Sequence, residues 1–262
     1  MKSLLSSSVS SRRVRLTAAV TIVAASLLTI GGIVRADVPK TAADYAANPA
    51  AMIEAYRHVE VASVSDAIEQ LYHEKHYMSH HMQANFPTKF AGWAITVKMS
   101  KEENSDPNAQ TKMLQAIDDG APGSVYVMTV EDGADIAGMG GLMGTAMVSR
   151  GFVGAVIDGG LRDEAQLKRA NFPVYSLGPI PSTAVSHYRV TGVNQPMICD
   201  GVPVSAGDIV TADQDGVVVV PRVRAVDVLI LSQKLDFTEH SMYPVIEKLH
   251  SIVEAVAQFG RI

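Results

Sequence analysis

From Gly138 to Asp163 the chain reads GMGGLMGTAMVSRGFVGAVIDGGLRD, and no other stretch limits the fold as much. Gly138, Gly140, Gly141 and Gly144 crowd a loop. Leu142, Met143, Ala146 and Met147 then recur at helical spacing and predict a helix over Leu142–Arg150. The apolar run Val153–Ile157 predicts a buried strand, closed by Asp158-Gly159-Gly160, with Arg162 and Asp163 directly behind it. Glycine loop, helix and buried strand in that order point to a layered α/β domain.

Each piece also has a chemical meaning. Glycines ahead of a helix let backbone N–H groups approach an anion, and the helix N-terminus adds partial positive charge. Arg162 is a planar, permanently charged fork suited to carboxylate or phosphate. Asp163 is a hard oxygen ligand of the kind Mg²⁺ accepts. The combination describes a site for an oxygen-rich small anion beside a divalent ion. An Arg-Asp pair after a strand is also an ordinary way to begin a helix, with Asp as its cap.

Around this centre the chain alternates strands and helices. Thr41 to Arg57 is alanine-rich with Pro49, an arm or short helix, and Ser65-Asp66 predicts a helix start running through Leu71 toward Tyr77. His73, His76, His80 and His81 follow. His76 and His80 would share a helix face, but HEKH is one residue short of the HExxH zinc motif, and a solvated or partly buried histidine surface is expected. Phe90–Met99 predicts a strand, with Trp93, Ile95 and Val97 on one face. Asp106-Pro107 predicts the cap and first residue of a helix to Asp119, and Ser124–Val130 predicts a second buried strand. A short amphipathic helix through Leu167 and a strand at Val174–Leu177 come next. Asp200-Gly201 and Asp215-Gly216 then mark hairpins, and Arg224–Phe259 is mainly helical with Pro244 as a break.

The first 36 residues read differently. They carry Lys2, Arg12, Arg13, Arg15 and Arg35, five of the 22 basic residues, and none of the 27 acidic ones. An apolar run from Leu16 to Val34 ends at Val34-Arg35-Ala36, the layout of an export signal cleaved after Ala36, with an uncleaved anchor as the alternative. Ser11-Arg12-Arg13 hints at a twin-arginine route. The expected organisation is export signal 1–36, N-terminal arm 37–58 and a single domain 59–262, in the periplasm. The mature part then holds 17 basic against 27 acidic residues, net −10, which argues against nucleic acid as a partner. Cys199 is the sole cysteine, so no disulfide closes within the chain.

The segments GGLMGTA, GAVIDGGLRD, FPVYSLG and VNQPMICDGVPVSAGDIVTADQDGVVVVPR resemble the RraA-like family, which includes the 4-hydroxy-4-methyl-2-oxoglutarate aldolases; the resemblance covers roughly Val59 to Asp227. It implies a compact β/α/β swivelling-type domain with hairpins in its second half and a C-terminal helix, assembled as a homotrimer or homohexamer. It further implies a lyase dependent on Mg²⁺ or Mn²⁺ that acts on a small 2-oxo acid, by aldol cleavage or by decarboxylation of oxaloacetate, and yields pyruvate. On this resemblance Arg162 binds the substrate carboxylate, the backbone N–H groups of Leu142 and Met143 hold the same moiety, and Asp163 ligates the metal. Glu239, from the C-terminal helix of a neighbouring subunit, supplies an acid.

Two positions depart from the family pattern. Gly141 stands where the aldolases carry an acid, and its backbone conformation is expected to suit glycine. His187 stands where they carry a lysine. Two other readings compete. Some RraA-like proteins bind an RNA-degrading enzyme and catalyse nothing. The spacing of Gly138, Gly140 and Gly144 with Asp158 also imitates a dinucleotide fingerprint, although hairpins replace the βαβ continuation that fingerprint needs.

Overall fold

The computed structural model describes residues 40–260; the expected export signal at 1–36 and the first residues of the arm lie outside the described part. No helix among the described residues is long and apolar enough to cross a membrane. The scaffold is a mixed α/β sheet. Four parallel strands, Phe90–Lys101, Ser124–Val130, Gly154–Asp158 and Val174–Ser176, lie side by side in chain order. The helices Thr111–Asp118, Gly141–Ser149 and Glu164–Arg169 connect them.

Both faces of this sheet are covered, which explains the unbroken apolar runs. In Ser124–Val130 the side chains of Tyr126, Met128 and Val130 enter one core, with Met113, Met143, Met147 and Leu167 from the helices. Val125 and Val127 enter another on the opposite face, beside Val210, Ala212, Val217 and Val219. Side chains alternate across a strand, so the two cores follow from the period of two.

Beyond the parallel strands the chain turns to hairpins. One edge of the long strand Phe90–Lys101 serves two antiparallel partners: its first residues pair with Ile209–Asp213 and its last with Tyr188–Val193. Ile209–Asp213 then pairs with Gly216–Val220, the two linked through Gln214 and Asp215. Met197–Cys199 and Val202–Val204 form a separate hairpin through Asp200-Gly201, both residues left-handed. Because the parallel strands run in chain order, they contain no reversal of strand order, the place where a doubly wound sheet opens a dinucleotide crevice.

A third core lies under the terminal segments. The arm is two short helices, Ala42–Ala47 and Pro49–Arg57, and it is anchored: Tyr45, Met52, Ile53 and Tyr56 are buried against the helices Val61–Tyr72 and Ala225–Leu249. The Tyr56 hydroxyl donates to the Ala225 carbonyl at 2.6 Å, as a fully buried tyrosine requires.

Four local expectations are corrected. The helix expected from Ser65-Asp66 begins at Val61, because the N–H groups of Glu60 and Val61 are taken by the carboxylates of Asp236 and Asp213, each at 3.0 Å. Distant acids thus cap it and face its positive end. It stops at Tyr72 with His73 left-handed (φ 57), so His76 and His80 share no helix face. His76 is instead buried with Nε2 against Glu74 at 2.9 Å, while His73, His80 and His81 are exposed. Asp106-Pro107 starts no helix, since the Asp106 carboxylate pairs with Arg189 at 2.7 Å and accepts the Asn108 N–H at 2.8 Å. The helix begins at Thr111. Finally, Pro244 lies inside the continuous helix Ala225–Leu249. Both Pro244 and His240, whose carbonyl the ring displaces, are exposed to water there. The break comes at left-handed His250, before Ser251 caps the helix Ile252–Phe259.

Candidate active site

The site grows from the first turn of the helix Gly141–Ser149. Gly140 holds the cap position with an extended backbone (φ −152) and no side chain to satisfy the turn. Gly144 N–H closes the first helical bond onto the Gly140 carbonyl at 3.1 Å, so the N–H groups before it have no partner in the helix. One of them, Gly141 N–H, donates to Asp163 Oδ2 at 3.0 Å. Those of Leu142 and Met143 remain as donors at the positive end of the helix.

Arg162 and Asp163 are brought to this point by a parallel ribbon, Ala137–Met139 with Gly160–Leu161, extended by Arg162 N–H donating to the Met139 carbonyl at 3.0 Å. Asp163 is left-handed (φ 58, ψ 34) at the cap position of the helix Glu164–Arg169, yet its side chain makes no capping bond to that helix. Its carboxylate faces the neighbouring helix instead, with Arg162 Nε 3.8 Å from Oδ2. An ordinary cap holds extended backbone and bonds its own first turn. Asp163 does neither, and a non-glycine residue in this region is a conformational cost that accumulates at working sites.

Small residues permit the approach. A Cβ on Gly140 would lie 2.8 Å from Asp163 Oδ2 and 2.9 Å from Arg162 Cγ, and one on Gly144 would lie 2.1 Å from Leu167 Cδ2. Gly141 has an ordinary helical backbone, so the expected need for glycine there is not conformational. Its constraint is space, because a Cβ would lie 3.1 Å from both Asp163 Cβ and Gln166 Cγ.

Arg162 is steadied from the loop after the last parallel strand. Its Nη1 donates to the Ser182 carbonyl at 3.3 Å. The Ser182 hydroxyl accepts from Ala137 N–H and donates to the Asp135 carbonyl, both at 2.9 Å. Pro179, Ile180 and Pro181 of this loop form the wall of a cleft of about 480 Å³ floored by Leu161, Arg162, Asp163 and Glu164. Asp163 also lines a second cleft, with Gly141, Leu142, Thr145, Gln166 and Arg169. The two clefts have Asp163 in common.

The structure therefore joins Gly141, Leu142, Met143, Arg162 and Asp163, and adds Ser182, Gln166 and Arg169, for which the sequence carries no motif. Within one chain His187 and Glu239 do not line this cleft. His187 Nδ1 is held by the Glu103 carboxylate at 2.9 Å in a cavity with Lys101, Asp132 and Tyr188. Glu239 accepts the Tyr243 hydroxyl at 2.8 Å beside an apolar cavity between Ser63, Met242 and Val256. Asp158, the acid at the dinucleotide spacing, accepts the Asp200 N–H at 2.8 Å, and burial pushes its carboxyl above the ordinary value. A separate group, Glu60, Asp236 and His240, brings ligand atoms within 4.8 Å of one another, although Asp236 already caps a helix and Glu60 pairs with Lys89 at 3.5 Å.

The sequence and the fold have known relatives. A protein of Halalkalibacterium halodurans named "Putative 4-hydroxy-4-methyl-2-oxoglutarate aldolase" is 29% identical over 185 residues, 70% of this chain and 82% of its own length. One of the same name from Deinococcus radiodurans is 32% identical over 131 residues, 49% of this chain and 76% of its own. Among solved structures, an uncharacterized protein of Pseudomonas syringae superposes with a TM-score of 0.72 at 26% identity, covering 79% of this chain and 93% of its own. Streptomyces coelicolor RraAS2, described as an unusual member of the RNase ES inhibitor RraA family, shares the fold with a TM-score of 0.65 at 22% identity, over 73% and 94% of the two chains. The RraA-like (Aldolase/RraA) family model matches residues 61–219, which include every strand of the parallel sheet and the whole glycine-loop site, and the chain belongs to that family.

Proposed function

We propose that the protein is a divalent-metal-dependent lyase that cleaves a carbon–carbon bond in a small 2-oxo acid and releases pyruvate. The observation that carries this reading is the placement of Asp163: a cap residue that leaves its own helix uncapped and turns its carboxylate to the next one, beside Arg162. The names of the relatives support an aldolase-type reaction.

Asp163 suits Mg²⁺ or Mn²⁺ as a protein ligand. Oδ2 is engaged by Gly141 N–H, Oδ1 has no hydrogen-bond partner among the described residues, and the side chain is about half exposed. Mg²⁺ accepts one or two carboxylates and fills its shell with waters and substrate oxygens. When bound, such an ion supplies Lewis acidity toward the carboxylate and keto oxygens of a 2-oxo acid. Arg162 would pair with that carboxylate through its planar fork, and the free N–H groups of Leu142 and Met143 would donate to the same anion. The loop Pro179–Pro181 forms one wall of the cleft that holds Arg162 and Asp163.

Gly141 bears on which bond breaks. Retro-aldol cleavage needs a base for the C4 hydroxyl proton as the C3–C4 bond opens, and Gly141 offers no side chain to hold one. Decarboxylation of oxaloacetate needs none, since the departing carboxylate leaves as carbon dioxide and its bonding electrons stay on C3. Decarboxylation therefore survives better here than cleavage of 4-hydroxy-4-methyl-2-oxoglutarate. His187 or Glu239, as acid–base groups, would have to reach the cleft from a neighbouring copy, which is the reason to propose a homotrimer or homohexamer. The composition of residues 1–36 supports export to the periplasm, and N-terminal sequencing of the mature protein tests it.

The deciding experiment assays both substrates with Mg²⁺ or Mn²⁺ and then chelates the metal. Asp163→Asn should lose at least about a hundredfold in rate, as removal of a principal electrostatic group does. Arg162→Lys should lose kcat/KM broadly, because an ammonium has no bidentate fork. Turnover that persists in the metal-stripped protein sinks the reading, and its complete absence with metal supports the non-catalytic alternative.

A further inference from the structure

We propose that Arg169 binds a second carboxylate, so that the site selects dicarboxylic over monocarboxylic 2-oxo acids; this rests on the reading of Arg162 and Asp163 given above. Asp163 lines two clefts, one of which also holds Arg162 and the other Arg169. A substrate whose 2-oxo acid end lies at Arg162 and Asp163 has a direct path for its distal end along Gly141, Leu142 and Thr145 to Arg169.

Reach and charge agree with this. Six residues of helix separate Cα of Asp163 and Arg169 by about 9 Å along the axis. Helical side chains lean toward the N-terminus, and Arg169 follows, with Nη2 donating to Gln166 Oε1 one turn earlier at 2.7 Å. The guanidinium therefore sits about one turn from the level of Asp163. Gln166 is itself fixed: Nε2 donates to Thr145 Oγ1 at 3.4 Å, and Thr145 Oγ1 donates to the Gly141 carbonyl at 2.8 Å. Arg169 is thus tied through side chains to the helix turn that carries the donors for the first carboxylate, and a pre-positioned fork loses less freedom on binding an anion.

A cation in the last turn of a helix is favourable in itself. The neighbouring Lys168 shows what that role looks like, since it points away to an ion pair with Glu164 at 3.0 Å. Arg169 makes no ion pair among the described residues, faces a cleft, and leaves most of its N–H donors available.

The test compares two five-carbon acids that share the same head, 2-oxoglutarate and 2-oxopentanoate. Neither has a carboxylate on C3 or a hydroxyl on C4, so neither is consumed. Calorimetry on the intact protein with Mn²⁺ gives the ratio of their dissociation constants. The expectation is 2-oxoglutarate tighter by about tenfold, the worth of one charge-assisted contact. In Arg169→Met the ratio should fall to about one through loss of affinity for the dianion. The monocarboxylate reports that the rest of the site is intact. An unchanged ratio in Arg169→Met, or equal affinities in the wild type, overturns this inference alone. A wild type that binds neither acid overturns the reading of the site together with it.

Discussion

Gly140→Ala adds one methyl group at the most crowded point of the site, and the structure gives its consequence in ångströms. Backbone strain is not the issue, because φ −152 and ψ −170 are open to any residue. The new Cβ would lie 2.8 Å from Asp163 Oδ2, 2.9 Å from Arg162 Cγ and 3.1 Å from Arg162 Nε. Carbon contacts are comfortable at about 3.5–4.0 Å, so both side chains must retreat by roughly 0.5–1 Å. They can do so cheaply, being about half exposed, and the fold should lose no more than about 1 kcal/mol. The chemistry should suffer more, since a misplacement of about 1 Å costs on the order of a hundredfold in rate. The prediction is a ten- to hundredfold fall in kcat/KM for oxaloacetate, by that same relation about tenfold at the smaller shift, with a melting temperature lowered by no more than about 2–4 °C. Coupled pyruvate detection and calorimetric melting measure the two quantities. Wild-type kinetics would refute the argument that Arg162 and Asp163 act from these positions.

Gly144→Ala is the contrasting change: its Cβ would lie 2.1 Å from Leu167 Cδ2 in the core, so it should cost about 1–3 kcal/mol in urea unfolding, and a neutral result would mean that the two helices are not packed this closely. Ser182→Ala removes the hydroxyl that ties Ala137 to Asp135 while leaving the carbonyl that receives Arg162; it should raise KM more than it lowers kcat, Ser182→Thr should restore KM, and unchanged kinetics in the alanine variant would show that the loop does not position Arg162. Glu74 is held well below its ordinary 4.5, at about 2, chiefly by the Arg224 guanidinium and then by His76. Its folded value is the depressed one, so its contribution is present above pH 4.5 and disappears as pH falls toward 2. The stability difference between wild type and Glu74→Gln should shrink across that window, and a gap independent of pH would exclude the ion pair as its source.

What the sequence disclosed, and what it hid, divides along the range of the interactions concerned. Ser124–Val130 is legible to the residue because its two apolar faces answer to local periodicity alone. The glycine loop and its helix are legible for a similar reason, shifted by one residue at each end as Gly141 joins the helix and Arg150 becomes its C-cap. The start of the helix Val61–Tyr72 was hidden, since its caps come from Asp213 and Asp236, 152 and 176 residues away. Asp106 looked like a cap until Arg189, 83 residues on, claimed its carboxylate. The same logic governs the site. The Arg162-Asp163 pair stands out as a dipeptide, but nothing in it tells a helix cap from a ligand; only the left-handed backbone and the bond to Gly141 separate the two. Ser182 and Arg169 enter through the return of a loop and the lean of a helical side chain, which no spacing encodes.

Gly141 joins these observations. The resemblance alone presents it as a missing acid, a position open to a carboxylate by a single substitution. In the structure the volume such a side chain would enter is already bounded by Asp163 Cβ and Gln166 Cγ, each 3.1 Å from the place of its first carbon. Gln166 in turn anchors Arg169 and reaches Thr145. An acid at 141 would therefore press on the partner of Arg169 and set a second negative charge beside Asp163. Like charges at that separation repel, even with water in reach of both. The glycine, the glutamine and the free arginine thus belong to one arrangement: the helix turn gives up a carboxylate, and the next helix supplies a cation in the adjoining cleft. On this geometry the departure from the aldolase pattern at Gly141 bears on the charge that the site can hold, and through it on the acids it can accept, as well as on the bond it breaks.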